Sequence, residues 1–298
     1  MRLTLCLVLF IVTRSFPQNH DPYAAEVVTS DIDNFWIAFD SAQPDFNKEF
    51  FQRLYLDKGS KGLSAFVELR FKSAERLSNT IKKFPKYYAS TRTIDFVKDD
   101  IIKSYVKLKE IYPEALFPPV YFVIGAMSTA GTAFPDGILV GTEMFGRTSD
   151  APIDELLPIL QPIIKYPHDI PPNVAHEIVH FQQHYNCYTL LEFSLKEGTA
   201  DFIGEMISGR HINQNIHDFA NPKEEQLWRE FKKRMNRKNQ EGWLYTSSPG
   251  RPNDLAYWMG YKIVKAYYDK QSDKAKAIDD IINIENAKKF VKDRGYGS

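Results

Sequence analysis

Residues 176–180 read His-Glu-Ile-Val-His, and this pentapeptide constrains the chain more than any other stretch. On an α-helix, positions i and i+4 lie one above the other on a single face, so a helical segment lets His176 and His180 reach one ion. The flanking sequence favours a helix. Pro171-Pro172 lie just upstream, and proline is tolerated in a first turn because its missing N–H has no helical partner there. Val174, Ile178, Phe181 and Tyr185 form an apolar stripe that would bury the opposite side. Zn²⁺ takes neutral imidazole nitrogens at ~2.0–2.1 Å. Glu177 follows the first ligand, so it projects beside the ion, where it can serve as general base toward a water.

A catalytic zinc needs a third protein ligand and a position left open for water. His184 is one further i+4 step along, but His176 and His184 would lie about 12 Å apart along the axis, too far to share one tetrahedral ion. The metzincin extension is absent as well, since no glycine and third histidine follow at the required positions. Glu197 is the better candidate. It comes 17 residues after His180, in Lys196-Glu197-Gly198-Thr199-Ala200-Asp201, on the next helical pattern. A turn near 186–189 would fold that helix back over the first. Asp201 lies one turn further on the same face, placed to accept the remaining N–H of a ligand histidine and fix its tautomer.

The rest of the chain reads as mainly helical α+β. Ile32, Phe35, Trp36 and Phe39 follow a Ser30-Asp31 cap at helical spacing, and helical patterns continue over 45–56, 63–83 and 94–111. After Pro118-Pro119, residues 120–124 and 137–140 are short, apolar and β-branched, predicting two strands of a small sheet ahead of the motif helix. A short helix is expected over 154–160, against Pro158, and firmer ones over 173–185, 190–208, 223–235 and 254–268. The division is a leader at residues 1–15, an N-terminal helical portion at 16–118 packed on the catalytic part, and a catalytic domain of the metallopeptidase kind at 119–298.

The leader rests on Met1-Arg2, the apolar run from Leu3 to Val12, and Thr13-Arg14-Ser15 as a small-x-small cleavage site. Roughly 10 apolar residues suit a signal peptide and fall short of the ~20 that a membrane helix needs. The mature chain is therefore expected to be exported, periplasmic or extracellular or envelope-associated, without a transmembrane span. Cys6 does not read as a lipidation site, because Leu5 stands where a small residue is wanted. Cys187 is the remaining cysteine of the two, so the mature chain has no intramolecular disulfide. Lys+Arg and Asp+Glu balance at 38 each, without long blocks of one sign, and no basic field points to nucleic acid.

HExxH followed by Glu-x-x-x-Asp on a second helix resembles the gluzincin, thermolysin-like metallopeptidases, in which that Glu is the third zinc ligand and the Asp orients the first histidine. More narrowly, the chain resembles an uncharacterised family of zinc-dependent proteases related to a gliding-motility lipoprotein. That likeness is carried by the 126–145 segment with Gly-Thr-Glu-Met, the His-Glu-Ile-Val-His-Phe-Gln-Gln helix, Glu-Gly-Thr-Ala-Asp-Phe, and Arg-Pro-Asn-Asp-Leu-Ala-Tyr-Trp-Met-Gly-Tyr. The resemblance implies a secreted zinc hydrolase, a metalloprotease acting on a peptide or protein substrate. Its zinc ligands would be His176, His180 and Glu197, with Glu177 as base and Asp201 behind them. Tyr257 and Tyr261, at i and i+4 on one helix, are candidates for stabilising a transition-state oxyanion. Strand 137–140 or the residues flanking Gly131 are candidates for the wall against which an extended peptide pairs. The rival reading is a non-catalytic envelope or motility component that keeps a zincin-like fold.

Overall fold

Four of the helices begin where a side chain satisfies one of their first free amides. Ser60 accepts from the Leu63 N–H, Ser73 from Arg76, Thr189 from Glu192 and Asp273 from Lys276. The computed structural model describes residues 19–94, 98–244 and 250–294; the expected leader lies outside them. The larger elements in chain order are β1 (Val27–Val28), α1 (Ser30–Ala42), α2 (Lys48–Leu54), α3 (Lys61–Phe66), α4 (Ala74–Lys83), α5 (Pro85–Ser90) and α6 (Lys98–Ile111). These are followed by β2 (Val120–Val123), β3 (Gly131–Phe134), β4 (Gly137–Gly141), α7 (Ile170–Gln182), α8 (Leu190–Ser208) and α9 (Gln214–Ala220). The chain continues through α10 (Glu224–Lys232), α11 (Leu255–Lys270), α12 (Lys274–Ile282) and α13 (Ala287–Arg294). The fold is mainly helical α+β with a small sheet ahead of the motif helix. No helix among the described residues is long and apolar enough to cross a membrane.

The sheet has four strands in the order β1-β2-β4-β3. β1 runs parallel to β2 and β2 to β4, while β3 returns antiparallel to β4 with Thr132 opposite Leu139. Every residue of β2 and β4 is buried, which explains their continuous apolar runs. β3 is half-buried throughout, at an edge of the sheet, and its Gly-Thr-Ala-Phe sequence carries little strand signal. With β1 only two residues long, this is why two strands were expected and four are present. The N-terminal helices pack against the sheet through buried phenols. Tyr55 donates to the Ile124 carbonyl at 2.7 Å, Tyr88 to Gly125 at 2.7 Å and Tyr87 to Glu143 at 2.6 Å.

Two further helix expectations need correction. The pattern over 63–83 breaks into α3, a π turn at Val67–Phe71 and α4, because Lys72 takes φ 71° and Ser73 starts a new helix as its cap. Residues 154–160 hold no α-helix, only a 3-10 turn at Ile153–Glu155, as Pro158 would disfavour more. The motif helix starts earlier than expected, at Ile170, and takes both prolines into its first turn.

α8 packs between α7 and α11, and glycines set how close these helices come. A Cβ at Gly198 would lie 2.1 Å from the Gly260 carbonyl carbon, and one at Gly260 would lie 1.6 Å from the Ser194 oxygen. α8 and α11 therefore cross backbone against backbone. On the other side, Gly204 brings α8 against His176, with a Cβ there only 3.2 Å from the His176 Cα. The close packing fixes the height at which Glu197 and Asp201 meet the motif helix.

Candidate metal centre

α7 carries His176 and His180 one turn apart, with their rings 4.6 Å apart and nearly perpendicular. The apolar stripe does what its spacing requires: Val174 and Ile178 are buried, which leaves the histidines on the side facing α8. Each imidazole is tied by Nδ1. His176 Nδ1 lies 2.8 Å from Asp201 Oδ1, and His180 Nδ1 lies 2.8 Å from Gln183 Oε1. Both partners are acceptors, so each Nδ1 carries the proton and each Nε2 is left as the ligating nitrogen.

Those two Nε2 atoms converge on Glu197. Its Oε2 is 3.0 Å from His180 Nε2 and 3.5 Å from His176 Nε2. Neighbouring ligand atoms around a tetrahedral ion with ~2.0–2.1 Å bonds are ~3.4 Å apart, so Glu197 already stands close to the required separation from both imidazoles. They form the three-ligand His, His, Glu set among the described residues, with all donor atoms within 4.8 Å of one another. Neutral imidazoles with a carboxylate suit zinc, and three ligands leave a position open. The residues fit the ion.

The electrostatics agree with a site that holds a cation. Burial disfavours the ionised form of Glu197, yet the two imidazoles outweigh it and hold its carboxyl far below the ordinary range. Burial likewise opposes protonation of His176, but its hydrogen bonds to Asp201 and Glu197 prevail and push it up to about 10. Positive charge is thus favoured at the point where the Nε2 atoms meet, and a metal would displace a proton from it.

Glu177 points elsewhere. Its Oε2 accepts from the Ala133 N–H of β3 at 2.9 Å, beside the ligand cluster. The approach of β3 to α7 requires Gly131, since a Cβ there would sit 2.5 Å from Asn173 Oδ1 and 2.7 Å from Glu177 Oε1. His176, Glu177, His180 and Glu197 share an open cleft of about 570 Å³ whose wall is β3, with Arg70, Lys196 and Tyr257 also on its lining. Of the two expected wall segments, the one flanking Gly131 lies here, while β4 is interior to the sheet.

The tyrosines separate. Tyr257 lies over His176, rings nearly parallel and 6.0 Å apart. Tyr261 does not face the cleft: its hydroxyl donates to Glu205 at 2.7 Å, and its ring packs on His211 and His217. An i, i+4 spacing fixes a shared face, but α11 is rotated so that only its first tyrosine reaches the ligands. His184 is exposed beyond the end of α7. Arg251, upstream of α11, pairs with Glu230 at 2.8 Å.

Three contributors were missed from sequence. Gln183 orients His180 and also donates to the Lys196 carbonyl at 3.1 Å, linking α7 to α8; its place three residues after His180 was the available signal. Asn213 donates to the second oxygen of Asp201 at 2.8 Å, so that carboxylate is held at both ends. Arg70 reaches the cleft from the π turn by donating from Nη2 to Thr132 Oγ1, and a contact across 62 residues leaves no local trace.

Fold and site together define an α+β protein with a largely buried His, His, Glu cluster, of a kind that fits a metal ion, beside an open cleft. The family model described as gliding motility protein GldB, a lipoprotein model, matches residues 19–298, and the chain belongs to that family. No curated protein and no solved structure matches it. Membership corrects the resemblance drawn from the motifs. The family matched along the chain is the gliding-motility one and not the gluzincin metallopeptidases, so the hydrolase and metalloprotease labels lose the family support they were given. HExxH and Glu-x-x-x-Asp are local patterns that report a metal-ligand geometry, and geometry of that kind does not fix ancestry. The chain is a gliding-motility-family protein of the exported, envelope-associated kind.

Proposed function

We propose that this chain is an envelope-associated motility protein that holds a zinc ion at His176, His180 and Glu197. The observation that carries the metal part is the convergence of both Nε2 atoms on Glu197 Oε2, with each Nδ1 tied to an acceptor. The motility part rests on the family match over residues 19–298. In this reading the ion ties α7 to α8 and keeps the cleft in shape for a protein partner or ligand.

A second reading, zinc-dependent hydrolysis of a peptide, is favoured by one observation: Glu177 lies in the cleft without being drawn into the ligand set, held by the Ala133 N–H. A bound zinc ion would supply Lewis-acid polarisation of water and carbonyl there. Glu177 would take a proton from the water and return it to the leaving amine, while Asp201 and Gln183 hold the imidazoles in their ligating tautomers. The two readings part in the source organism. Chromosomal Glu197→Ala is expected to abolish colony spreading under both. Glu177→Gln, which leaves the ligands intact, is expected to spread normally for a non-catalytic protein and to fail for a hydrolase. Normal spreading by Glu197→Ala would reject the proposal.

A further inference from the structure

We infer that the cleft beside the metal site takes a carboxylate-bearing peptide, read by Arg70 from the β3 side and by Lys196 from α8. This rests on the metal reading and names the ligand class for that site. Arg70 is anchored: Nη2 donates to Thr132 Oγ1, and Nε is enclosed without a partner. A guanidinium held in this way loses little freedom when it binds again, and its terminal N–H groups beyond the one given to Thr132 suit a carboxylate. Neither Arg70 nor Lys196 has an acidic partner within salt-bridge distance among the described residues, although both line the cleft.

The charges on the wall point the same way. Two carboxylates, Glu177 and Glu197, face two cations, Arg70 and Lys196. A divalent ion held by Glu197 leaves the cleft with an excess of positive charge, and walls of low dielectric focus that field on an entering ligand. β3 adds a half-buried edge along the same wall, suited to an extended backbone. An anionic peptide satisfies both the edge and the cations; a neutral peptide satisfies only the edge.

The test uses the full zinc-loaded chain and three dye-labelled pentapeptides, read by fluorescence anisotropy. One is Ala-Ala-Asp-Ala-Ala with an amidated C-terminus, the second has Asn for Asp, and the third has Asn with a free C-terminal carboxylate. The expected result is at least tenfold tighter binding of one or both acidic peptides than of the neutral one, and the arm that gains identifies side chain or C-terminus as the source. That preference should fall to threefold or less in Arg70→Gln, and by about threefold in Lys196→Gln. The Lys196 ammonium makes only a distant approach to the Tyr185 ring (5.8 Å), so replacing this side chain keeps the test open should Arg70→Gln not fold. Equal affinities for all three peptides, binding of none, or a preference untouched by both substitutions would overturn the inference. Zinc content, measured by mass spectrometry on the same samples, tests the metal reading separately.

Discussion

Glu177 accepts a hydrogen bond from the Ala133 N–H at 2.9 Å, which ties the middle acid of the motif helix to the edge strand of the sheet. The contact places the carboxylate beside the ligand cluster without spending it on the metal. Glu177→Gln keeps an oxygen that can accept from Ala133, so fold and zinc stoichiometry should match wild type. Under the hydrolytic reading, peptide turnover should fall at least ~100-fold, the scale of a lost general base. Paired metal analysis and a peptide-library digest check both; turnover within a few-fold of wild type would remove Glu177 from that role.

Asp201 acts through His176. Without its carboxylate, the His176 ring loses the partner that fixes its tautomer, and Asn213 loses an acceptor. Asp201→Ala should weaken zinc binding about 10- to 100-fold while leaving a folded chain. Competition with a chromophoric chelator measures it, and an unchanged affinity would show that the hydrogen bond has no bearing on the site.

The crossing of α8 and α11 tolerates no side chain at Gly260, where a Cβ would stand 1.6 Å from the Ser194 oxygen. The obstacle is backbone, so a rotamer change cannot relieve it. Gly260→Ala should destabilise the chain by about 3 kcal/mol or more. Denaturant titration checks the figure; a change under 0.5 kcal/mol would mean that the helices separate freely.

Glu143 is fully buried and accepts from the Gly125 and Met127 amides at 2.9 and 3.1 Å. Burial nevertheless dominates and pushes its carboxyl up from 4.5 to about 7. Because the folded chain holds this proton more tightly than the unfolded one, the contribution is fully present below about pH 4.5 and is lost as pH rises through about 7. It amounts to on the order of 3 kcal/mol across that window. Unfolding free energies at pH 5 and pH 8 should differ less in Glu143→Gln than in wild type. An unaltered pH dependence would place the proton elsewhere.

The meeting of His176, His180 and Glu197 was legible because its information is local. His176 and His180 are one helical turn apart, and Glu197 follows on the next helix after a short turn, so spacing alone predicts the meeting. The sheet was half legible: β2 and β4 announce themselves by continuous burial, whereas β3 is a Gly-Thr-Ala-Phe edge held by its neighbours. Arg70 was not legible at all, since its place in the cleft depends on a π turn and on Thr132 far along the chain. The two tyrosines show the limit of periodicity, which says that residues share a face but not which neighbour that face meets. Family was read wrongly because ligand spacing was taken as a sign of descent, and the match over residues 19–298 corrects it.

The most direct measurement is the zinc content of the purified chain beside Glu197→Ala prepared identically. Near one zinc per wild-type chain, falling to a small fraction in the variant, is the result that the geometry of His176, His180 and Glu197 predicts. No zinc in either protein after reconstitution, or equal zinc in both, would contradict the assignment of this cluster as a metal site.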